Sequence, residues 1–268
     1  MILTAENYFS QDAQMQYFGV SQFKFFEKCE NCALAELTGN YERAKTTALL
    51  VGSYVDAHFE GALDIFKAQH PELLKRDGTL KSDYVRAEEI INRIESDPLM
   101  MKYLEGDKQV IKTASLFGYD WKIKMDAYVP DERIVDLKIV KDFEPIYDPR
   151  LGMKVPWIQF WGYDLQGAIY QRVEQIATGR TEPLPFYIVA ATKEPTPDIA
   201  VIHIPQHMLD AALKAHGVDA KIDRYALIKY GDIEPDRCES CDYCKATKVL
   251  TAPTEYEIYE ETNYEKSR

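Results

Sequence analysis

Two aspartates and a lysine stand close together in the middle of this 268-residue chain, on two short apolar segments. The first segment ends in Lys124-Met125-Asp126, and Asp136-Leu137-Lys138 begins ten residues after Asp126. Two carboxylates can hold a divalent cation such as Mg²⁺, which prefers oxygen ligands. A lysine beside them can offset the negative charge that develops during hydrolysis. These residue types are the minimal equipment for metal-dependent cleavage of a phosphodiester bond.

The spacing of these residues predicts that they share one face of a two-stranded hairpin. Side chains alternate along a strand, so Asp136 and Lys138 point the same way while Leu137 points into the core. A three-residue loop between the segments would bring Asp126 directly opposite Asp136. The backbone carbonyl of Leu137 could then complete a Mg²⁺ site that the two aspartates support.

A role without chemistry is the alternative interpretation of these positions. Short patterns such as Asp-x-Lys occur often by chance and then mark only the solvated side of a hairpin. Lys122 and Lys124 fall on the same strand face and could neutralise the carboxylates without any metal. Aspartate is nevertheless depleted in strands, and two opposed aspartates repel each other unless a cation lies between them.

The surrounding sequence predicts the elements that must position these residues. Helical periodicity and stop signals predict helices over residues 21–39, 44–69, 83–95, 157–178 and 206–230. Period-two alternation predicts strands over residues 110–117, 121–129, 133–140, 185–191 and 199–204. This order favours an α/β (α+β) fold, in which a mixed β-sheet core is flanked by helices.

We expect a single domain over residues 1–268, because this length suits one large core with an appended lobe. Residues 1–105 would form its helical N-terminal part and residues 106–204 its catalytic sheet core. Residues 205–268 would hold the C-terminal helix, a cysteine cluster and an acidic tail.

The composition is typical of a globular cytoplasmic protein, with 46% apolar and 28% charged residues. The chain has no apolar run of membrane-spanning length, and its first residues do not resemble a secretory signal. The net charge of -12 is unfavourable for nucleic-acid binding, which depends on Lys and Arg. A nuclease could still concentrate positive charge locally, for example at Lys122, Lys124, Lys138 and Lys141.

Three of the five cysteines fall within seven residues, at Cys238, Cys241 and Cys244. This C-x-x-C-x-x-C spacing lets thiolates converge on a metal, and a cytosolic context disfavours disulfides. The fourth ligand must come from elsewhere, and either Cys29 or Cys32 could supply it. Four thiolates suit either Zn²⁺ or an iron-sulfur cluster. Three unliganded thiols are the bland alternative.

Four separate signals resemble the motif series of the PD-(D/E)XK nuclease superfamily, specifically its RecB-like branch. They occur in the family's order and cover about residues 20 to 245. The four signals are the Gly52 to His58 stretch, Asp126, Asp136-Leu137-Lys138, and Gln166 to Tyr170. Met125 replaces the proline after which the superfamily is named. The resemblance implies a restriction-endonuclease-like fold.

The resemblance also implies a role for each matching residue. His58 would join Asp126 and Asp136 as a metal ligand or close neighbour, and Lys138 would be the catalytic lysine. Gln166 and Tyr170, one helical turn apart, would position Lys138 or the DNA. A second Gln-x-x-x-Tyr pattern, Gln159 with Tyr163, precedes them. The Gln166 and Tyr170 pair is preferred because its surroundings look closer to the family.

Some RecB-like nucleases are similar in the cysteine region as well. In them one upstream cysteine and three downstream cysteines hold a structural [4Fe-4S] cluster. The resemblance carries this set to Cys29, Cys238, Cys241 and Cys244, with Cys32 as the spare. Zn²⁺ remains the rival metal.

The chain also resembles phage and prophage exonucleases related to the C-terminal domain of RecE. This implies a DNA exonuclease dependent on Mg²⁺ or Mn²⁺ that resects double-stranded DNA in recombination or repair, with single-stranded DNA as a second candidate substrate. A single-strand annealing protein would be its partner, and the chain could form a homo-oligomer. The alternative from another class is a non-catalytic DNA- or protein-binding module stabilised by a zinc or iron-sulfur site.

Overall fold

The structure, a computed structural model, describes residues 1–44, 46–253 and 255–256. Its seven described strands are β1 (Asp107–Leu116), β2 (Tyr119–Val129), β3 (Arg133–Val140), β4 (Ile146–Asp148), β5 (Met153–Val155), β6 (Phe186–Thr192) and β7 (Ile199–Ile204). Five of them form a sheet in the order β1-β2-β3-β6-β7, and β4 pairs with β5 in a separate hairpin. Only β3 and β6 run parallel in the main sheet, so the sheet is mixed.

Helices surround this sheet and fill the N-terminal third of the chain. In the described residues they are α1 (Gln11–Gln16), α2 (Val20–Lys28), α3 (Glu30–Leu37), α4 (Thr47–Phe59), α5 (Leu63–Gln69), α6 (Ser82–Glu95), α7 (Pro98–Tyr103), α8 (Trp157–Phe160), α9 (Tyr163–Thr178), α10 (Gln206–His216), α11 (Val218–Tyr230) and α12 (Asp242–Ala246). The fold class expected from the sequence is therefore confirmed. None of the described helices is long and apolar enough to cross a membrane.

The sheet separates two hydrophobic cores, because alternate residues of its inner strands enter opposite layers. On β6, Phe186, Ile188 and Ala190 join the first core, while Val189 and Ala191 join the second. Helices α2, α9 and α11 complete the first core, and α4 and α6 complete the second. A strand buried on both sides reads as a continuous apolar run, which is why residues 185–191 were predictable as a strand.

Amphipathic spacing explains why α6 packs where it does. Its buried residues recur every three or four positions, at Tyr84, Ala87, Ile90, Ile91 and Ile94. This spacing forms one apolar stripe along a helix, and the stripe faces the second core. The charged residues of α6 remain on the opposite side.

Four of the predicted helices are interrupted, each for a local reason. The segment over residues 21–39 is broken at Cys29, which has an extended backbone and caps α3 with its sulfur. The segments over residues 44–69, 157–178 and 206–230 break at Gly61, Gly162 and Gly217. All three glycines have positive φ, a conformation that glycine adopts without the steric cost that other residues incur.

The structure also contains elements that the sequence pattern did not predict, namely α1, α7, α12 and the β4-β5 hairpin. All are six residues or shorter, too short for a periodicity to develop. The proposed three-part division of a single domain stays a prediction. Its acidic tail, residues 254–268, lies outside the described residues except for residues 255–256.

Candidate active site and cysteine cluster

Asp126 lies at a point where β2 loses its pairing on both sides. The ladder with β1 skips the position where Gln109 would face Asp126, and Gln109 has a positive φ of 52°. The ladder with β3 ends at the pair Ala127 and Val135. A non-glycine residue in this backbone region usually marks local strain, which clusters at functional sites. The strands therefore part at Asp126 and leave a gap for its side chain.

The Asp126 carboxylate spans this gap through hydrogen bonds to both neighbouring strands. Its Oδ2 accepts from the backbone N–H of Leu137 at 2.8 Å, and its Oδ1 accepts from Gln109 Nε2 at 3.3 Å. Asp126 and Asp136 are thus close, as the hairpin register suggested, but they are not a ladder pair. The predicted pairing of Val129 with Arg133 is confirmed, and its register places Asp126 across from Asp136, one position beyond the last ladder pair.

Asp136 and Lys138 form an ion pair within β3, and both are largely buried. Asp136 Oδ1 also accepts a hydrogen bond of 2.6 Å from Gln166 Nε2. Burial raises the pKa of Asp136 to about 6, while Lys138 opposes and Asp126 reinforces this shift. Burial disfavours the charge of Lys138, but its attraction to Asp136 and Asp126 prevails and raises the pKa of the lysine. Lys138 Nζ also lies 5.0 Å from the centre of the Tyr163 ring.

Helix α4 brings Asp56 to the two aspartates, and the expectation for His58 is corrected. His58 Nε2 lies 2.7 Å from Glu95 Oε1, at hydrogen-bond distance, on the partly exposed side of α4. Residues two apart on a helix do not face the same way, so Asp56 and His58 cannot both reach the site. Burial raises the pKa of Asp56 well above its usual value, and the charges of Asp126 and Asp136 raise it further.

Asp56, Asp126 and Leu137 line a cavity of about 10 Å³, together with Glu60 and Gln109. This volume is close to that of a single water-sized probe. Asp56 Oδ1 is buried there without a hydrogen-bond partner among the described residues. Buried polar atoms are normally satisfied, and an all-oxygen set of carboxylates is what Mg²⁺ prefers. The donor set and the unsatisfied oxygen therefore fit a divalent cation.

The two Gln-x-x-x-Tyr patterns of α8 and α9 both contribute residues near this site. Gln166 contacts Asp136 directly, and Tyr170 makes a side-chain hydrogen bond to Gln166. Burial raises the pKa of Tyr170 well above its usual value. Tyr163, from the earlier pattern, lies against Lys138, whereas Gln159 is exposed. The catalytic roles of Gln166 and Tyr170 stay predictions.

Other residues near the site were missed from the sequence. Burial and Lys138 lower the pKa of Lys24 to about 8, and Lys24 Nζ donates to the Trp161 carbonyl at 2.9 Å. Burial and Asp126 raise the pKa of Tyr8. The sequence does carry a signal for Asp56, because it lies in the Gly52 to His58 stretch that resembles a family motif. Tyr8 and Lys24 carry no sequence signal, since the fold alone brings them there.

Four cysteine thiols lie together where α3 meets the C-terminal segment. The Sγ atoms of Cys29, Cys238, Cys241 and Cys244 all lie within 4.8 Å of one another. Cys29 and Cys244 Sγ are 3.5 Å apart. This set could hold a metal ion, and Cys32 is buried next to it but lies outside it. Zn²⁺ and iron-sulfur clusters both accept four thiolates.

Backbone and side-chain donors surround the thiols of this cluster. The N–H groups of Cys32, Cys241 and Cys244 donate to the sulfurs of Cys29, Cys238 and Cys241 at 3.3–3.4 Å. Burial alone would raise the pKa of Cys238, but donors that include Ser240 lower it to about 6. Hydrogen bonds to sulfur favour the thiolate, which is the form that binds metals.

The chain is similar to known proteins over most of its length. The family model described as "PDDEXK-like domain of unknown function (DUF3799)" matches residues 19–247. A solved structure named "Putative exonuclease", from Eubacterium rectale, is 45% identical over 97% of this chain and 98% of that chain, with a TM-score of 0.91. The structure of SSO0001 is 14% identical over 87% of this chain and 96% of that chain, and its TM-score of 0.28 carries no argument. No curated protein in the comparison matches the chain.

Proposed function

The chain belongs to the PDDEXK-like family described as a domain of unknown function (DUF3799), and we propose that it is a metal-dependent deoxyribonuclease. The observation that supports this proposal is the convergence of Asp56, Asp126 and Asp136 beside Lys138. The buried carboxylate of Asp136 and the half-buried carboxylates of Asp56 and Asp126 repel one another, and Asp56 Oδ1 has no donor among the described residues. Such a group is stable when a divalent cation binds it.

Asp56, Asp126 and Asp136 would hold the ion, and Leu137 lines the small cavity that Asp56 and Asp126 share. We take Mg²⁺ as the ion, with Mn²⁺ as its substitute, because both accept oxygen ligands. When bound there, the ion would supply Lewis-acid polarisation of the scissile phosphate and a water of lowered pKa.

The remaining residues would position water and balance charge. Lys138 would place its ammonium group beside the attacked phosphate and offset the negative charge that grows during cleavage. Gln166 would fix the orientation of Asp136 through its hydrogen bond, and Tyr170 would fix Gln166 in turn. Tyr163 packs against Lys138 and limits its freedom. These contacts from Gln166, Tyr170 and Tyr163 matter because small displacements of reacting groups lower the reaction rate by large factors.

We further propose exonuclease action on double-stranded DNA. The support is similarity to the Eubacterium rectale protein, whose name is "Putative exonuclease". Resection for a single-strand annealing partner, homo-oligomer formation and a cytoplasmic location follow from the family resemblance and belong to the same proposal. A non-catalytic DNA- or protein-binding module would be the conclusion if cleavage is not found.

The decisive experiment incubates purified protein with linear duplex, single-stranded and covalently closed circular DNA in Mg²⁺ or Mn²⁺. We expect the wild-type protein to degrade linear DNA only. Asp136→Asn should abolish this degradation, whereas Asp120→Asn, a matched change of an exposed aspartate on β2, should retain it. Lys138→Ala should also abolish cleavage while divalent-ion binding persists, because the lysine acts on charge rather than as a ligand. Wild-type protein that leaves every DNA form intact would overturn the proposal.

For the cysteine cluster we propose a single Zn²⁺ in a structural site. Ligands about 2.3 Å from one tetrahedral ion lie about 3.8 Å from each other. This agrees with the 3.5 Å between Cys29 and Cys244 and the 4.8 Å limit of the set. Four thiolates on the separate irons of a [4Fe-4S] cluster, which the resemblance implied, would lie farther apart.

Metal analysis of protein purified without oxygen separates these two assignments. We expect about one zinc per chain and a colourless protein. Stoichiometric iron with a broad absorption near ~400 nm would instead establish the iron-sulfur cluster.

A further inference from the structure

A second and larger cavity extends from the candidate active site along the N-terminal helices. It is a groove of about 490 Å³, within the range of small-molecule pockets. Its lining includes Tyr8, Phe9, Lys122, Gln166 and Tyr170. Gln166 also donates to Asp136, so the groove borders the residues that would cleave DNA.

The groove contains a buried cation that no carboxylate neutralises. Lys122 is 2% exposed, and its ammonium group donates to the Tyr8 carbonyl at 2.5 Å. Behind it, Lys229 donates to the Tyr17 carbonyl at 2.8 Å and to Gln22 Oε1 at 3.2 Å. Within the described part of the chain neither ammonium contacts a carboxylate, whereas the buried Arg133 is paired with Glu132.

Uncompensated buried positive charge is unusual in this chain, whose net charge is -12. Burial lowers the pKa of Lys122 to about 8 and that of Lys229 to about 7, and Lys122 adds to the shift of Lys229. A buried charge is normally paired, because removing it from water is costly. Carbonyl and amide oxygens give only partial compensation, so this region would gain stability from an anion.

The start of α2 adds positive potential at the same place. Among the described residues no side chain caps this helix, whose N-cap is Gly19. A Cβ at Gly19 would lie 4.0 Å from Lys122 Cε, so the lysine stem passes directly over the helix N-terminus. Free amides and the helix dipole favour anions at such an end. The lysine and the helix therefore act on the same point.

We propose that this groove binds a phosphate group of the DNA strand being cleaved, a short distance along the strand from the scissile bond. The inference rests on the proposed nuclease function and names the contact that would hold its substrate. Lys122 precedes Asp126 by four residues on one face of β2, which corresponds to about 13 Å. Lys122 and the α2 amides would receive the phosphate.

The groove wall also suits the base attached to such a phosphate. Phe9 is 67% exposed beside Tyr8, and the two rings are 4.9 Å apart in an edge-to-face arrangement. Lys124 Nζ lies 5.1 Å from the Phe9 ring centre. Exposed aromatic rings next to cations are the usual stacking platforms for single-stranded bases, and they tolerate any sequence.

The test measures binding without cleavage, so that it does not depend on catalysis. Anisotropy of a 3′-labelled oligothymidylate in EDTA would compare wild type, Lys122→Gln and Lys112→Gln, a lysine on the neighbouring strand β1. We expect Lys122→Gln to weaken binding about tenfold and to reduce the log-log salt slope by about 0.7. Lys112→Gln should change affinity less than about twofold, the size of an ordinary surface charge effect.

Two further arms identify the phosphate and protect against a folding artefact. Oligonucleotides with a 5′-phosphate or a 5′-hydroxyl show whether the bound phosphate is terminal or internal. If it is terminal, Lys122→Gln should lose affinity only for the 5′-phosphorylated oligonucleotide. Glutamine at position 122 can still donate to the Tyr8 carbonyl, and Lys122→Arg should restore binding because it restores the charge. A thermal melt of each variant checks folding.

The outcomes also distinguish this inference from the proposed function. Unchanged affinity and salt slope in folded Lys122→Gln would overturn the phosphate contact, even if wild-type protein degrades DNA. If the variants do not fold, stabilisation of wild-type protein by a 5′-phosphorylated oligothymidylate replaces the comparison, and a melting temperature unmoved by it overturns the contact. If wild-type protein cleaves no DNA but still binds the oligonucleotide in a Lys122-dependent way, the phosphate contact is supported and the proposed nuclease function is overturned.

Discussion

At the scale of single residues, Asp56 is half-buried, lies near Asp126 and Asp136, and keeps one buried oxygen without a donor among the described residues. His58, two positions later, is paired with Glu95 away from them. The histidine was chosen for its residue type, but the phase of the helix decides which side chain can reach the site.

Asp56→Asn and His58→Asn test this reassignment directly. We expect Asp56→Asn to weaken divalent-ion binding by about tenfold or more, since it removes a charged ligand, and to lower cleavage in step. His58→Asn should leave both unchanged, because within the described residues the polar partner of His58 is Glu95, away from the aspartates. Calorimetric titration with Mn²⁺ and a cleavage assay measure the two effects. The opposite ranking would restore His58 to the site.

Lys229 gives a prediction about stability and pH. Its pKa in the folded protein is about 7, because it is buried and lies near Lys122, whereas an unfolded lysine titrates near ~10.4. Between these values the unfolded state binds more protons, so this lysine makes the folded protein more stable as pH rises from 7 to 10.

Urea unfolding of Lys229→Met and wild type at pH 7 and pH 9.5 measures this contribution. The wild-type free energy of unfolding should increase between the two pH values by roughly 1–3 kcal/mol more than that of the variant. Lys24 and Lys122 titrate in the same direction but remain in both proteins, so the difference isolates Lys229. Parallel pH profiles would show that the Lys229 ammonium is not destabilised by burial.

At the scale of elements, the contact between α9 and β6 sets the position of Gln166. A Cβ at Gly167 would lie 2.4 Å from the Phe186 ring, so only glycine allows the helix this close to the strand. Gln166, the preceding residue, then reaches Asp136 on β3, the parallel neighbour of β6. The packing of one helix on one strand thereby supports the carboxylate of another.

Gly167→Ala should therefore destabilise the protein by about 1–3 kcal/mol, as overpacking of a core does. It should also lower cleavage by displacing Gln166. Gly52→Ala is the matched control, because Gly52 lies within α4 and its Cβ would meet nothing within 4 Å. That change should be neutral or stabilise by up to about 1 kcal/mol. Denaturant melts of both variants decide, and equal stability would refute close packing at Gly167.

The strand gap at Asp126 is a second element-scale feature. A regular hairpin would have buried the edges of β2 and β3 in continuous hydrogen bonds, and Asp126 would have had no room. Instead β2 pairs with β3 only from Ala127 to Val129, and near the start of β2 the backbone of Trp121 pairs with that of Phe18. The N-terminal segment thus replaces β3 as the neighbour of β2 and brings Tyr8 to the site.

At the scale of the whole molecule, the two ends of the described chain meet at the cysteine cluster. Cys29 precedes α3, and its thiolate partners are more than 200 residues later in sequence. Arg224 strengthens the junction through paired hydrogen bonds of 2.7 Å to Glu30 and an ion pair of 2.9 Å with Asp236. A metal bound by these thiols would link Cys29 to the C-terminal cysteines, so the chain segment that contains the main sheet would become one closed loop. Such a link would stabilise the folded protein.

Loss of one ligand should consequently reduce stability before it affects chemistry. Cys241→Ser is expected to abolish metal retention and lower the melting temperature by several degrees, since metal binding free energy is also folding free energy. Cys32→Ala, a buried cysteine outside the four-thiol set, should retain the metal. Metal content and thermal melts check both variants. Metal loss in Cys32→Ala with retention in Cys241→Ser would reverse the ligand assignment.

The sequence by itself determined the features that depend on local pattern. Alternating and helical periodicity located the five main strands and the core-facing helices, because burial of one face requires that spacing. The Asp136-Leu137-Lys138 triplet and the three late cysteines were equally visible, since their geometry is set within a few residues. The choice of Cys29 came from the family resemblance, and the structure brings its thiol to the other three.

Only the tertiary structure decided which distant residues join these local features. The orientation of α4 directs Asp56 rather than His58 toward the site. The break in β2 pairing leaves a gap that holds the Asp126 side chain. The path of the N-terminal segment forms the groove at Lys122. Each depends on how elements pack against one another, which no short window of sequence encodes. Uncompensated charge at Lys122 is likewise a property of its surroundings, because a lysine is buried or exposed only by what the fold places around it.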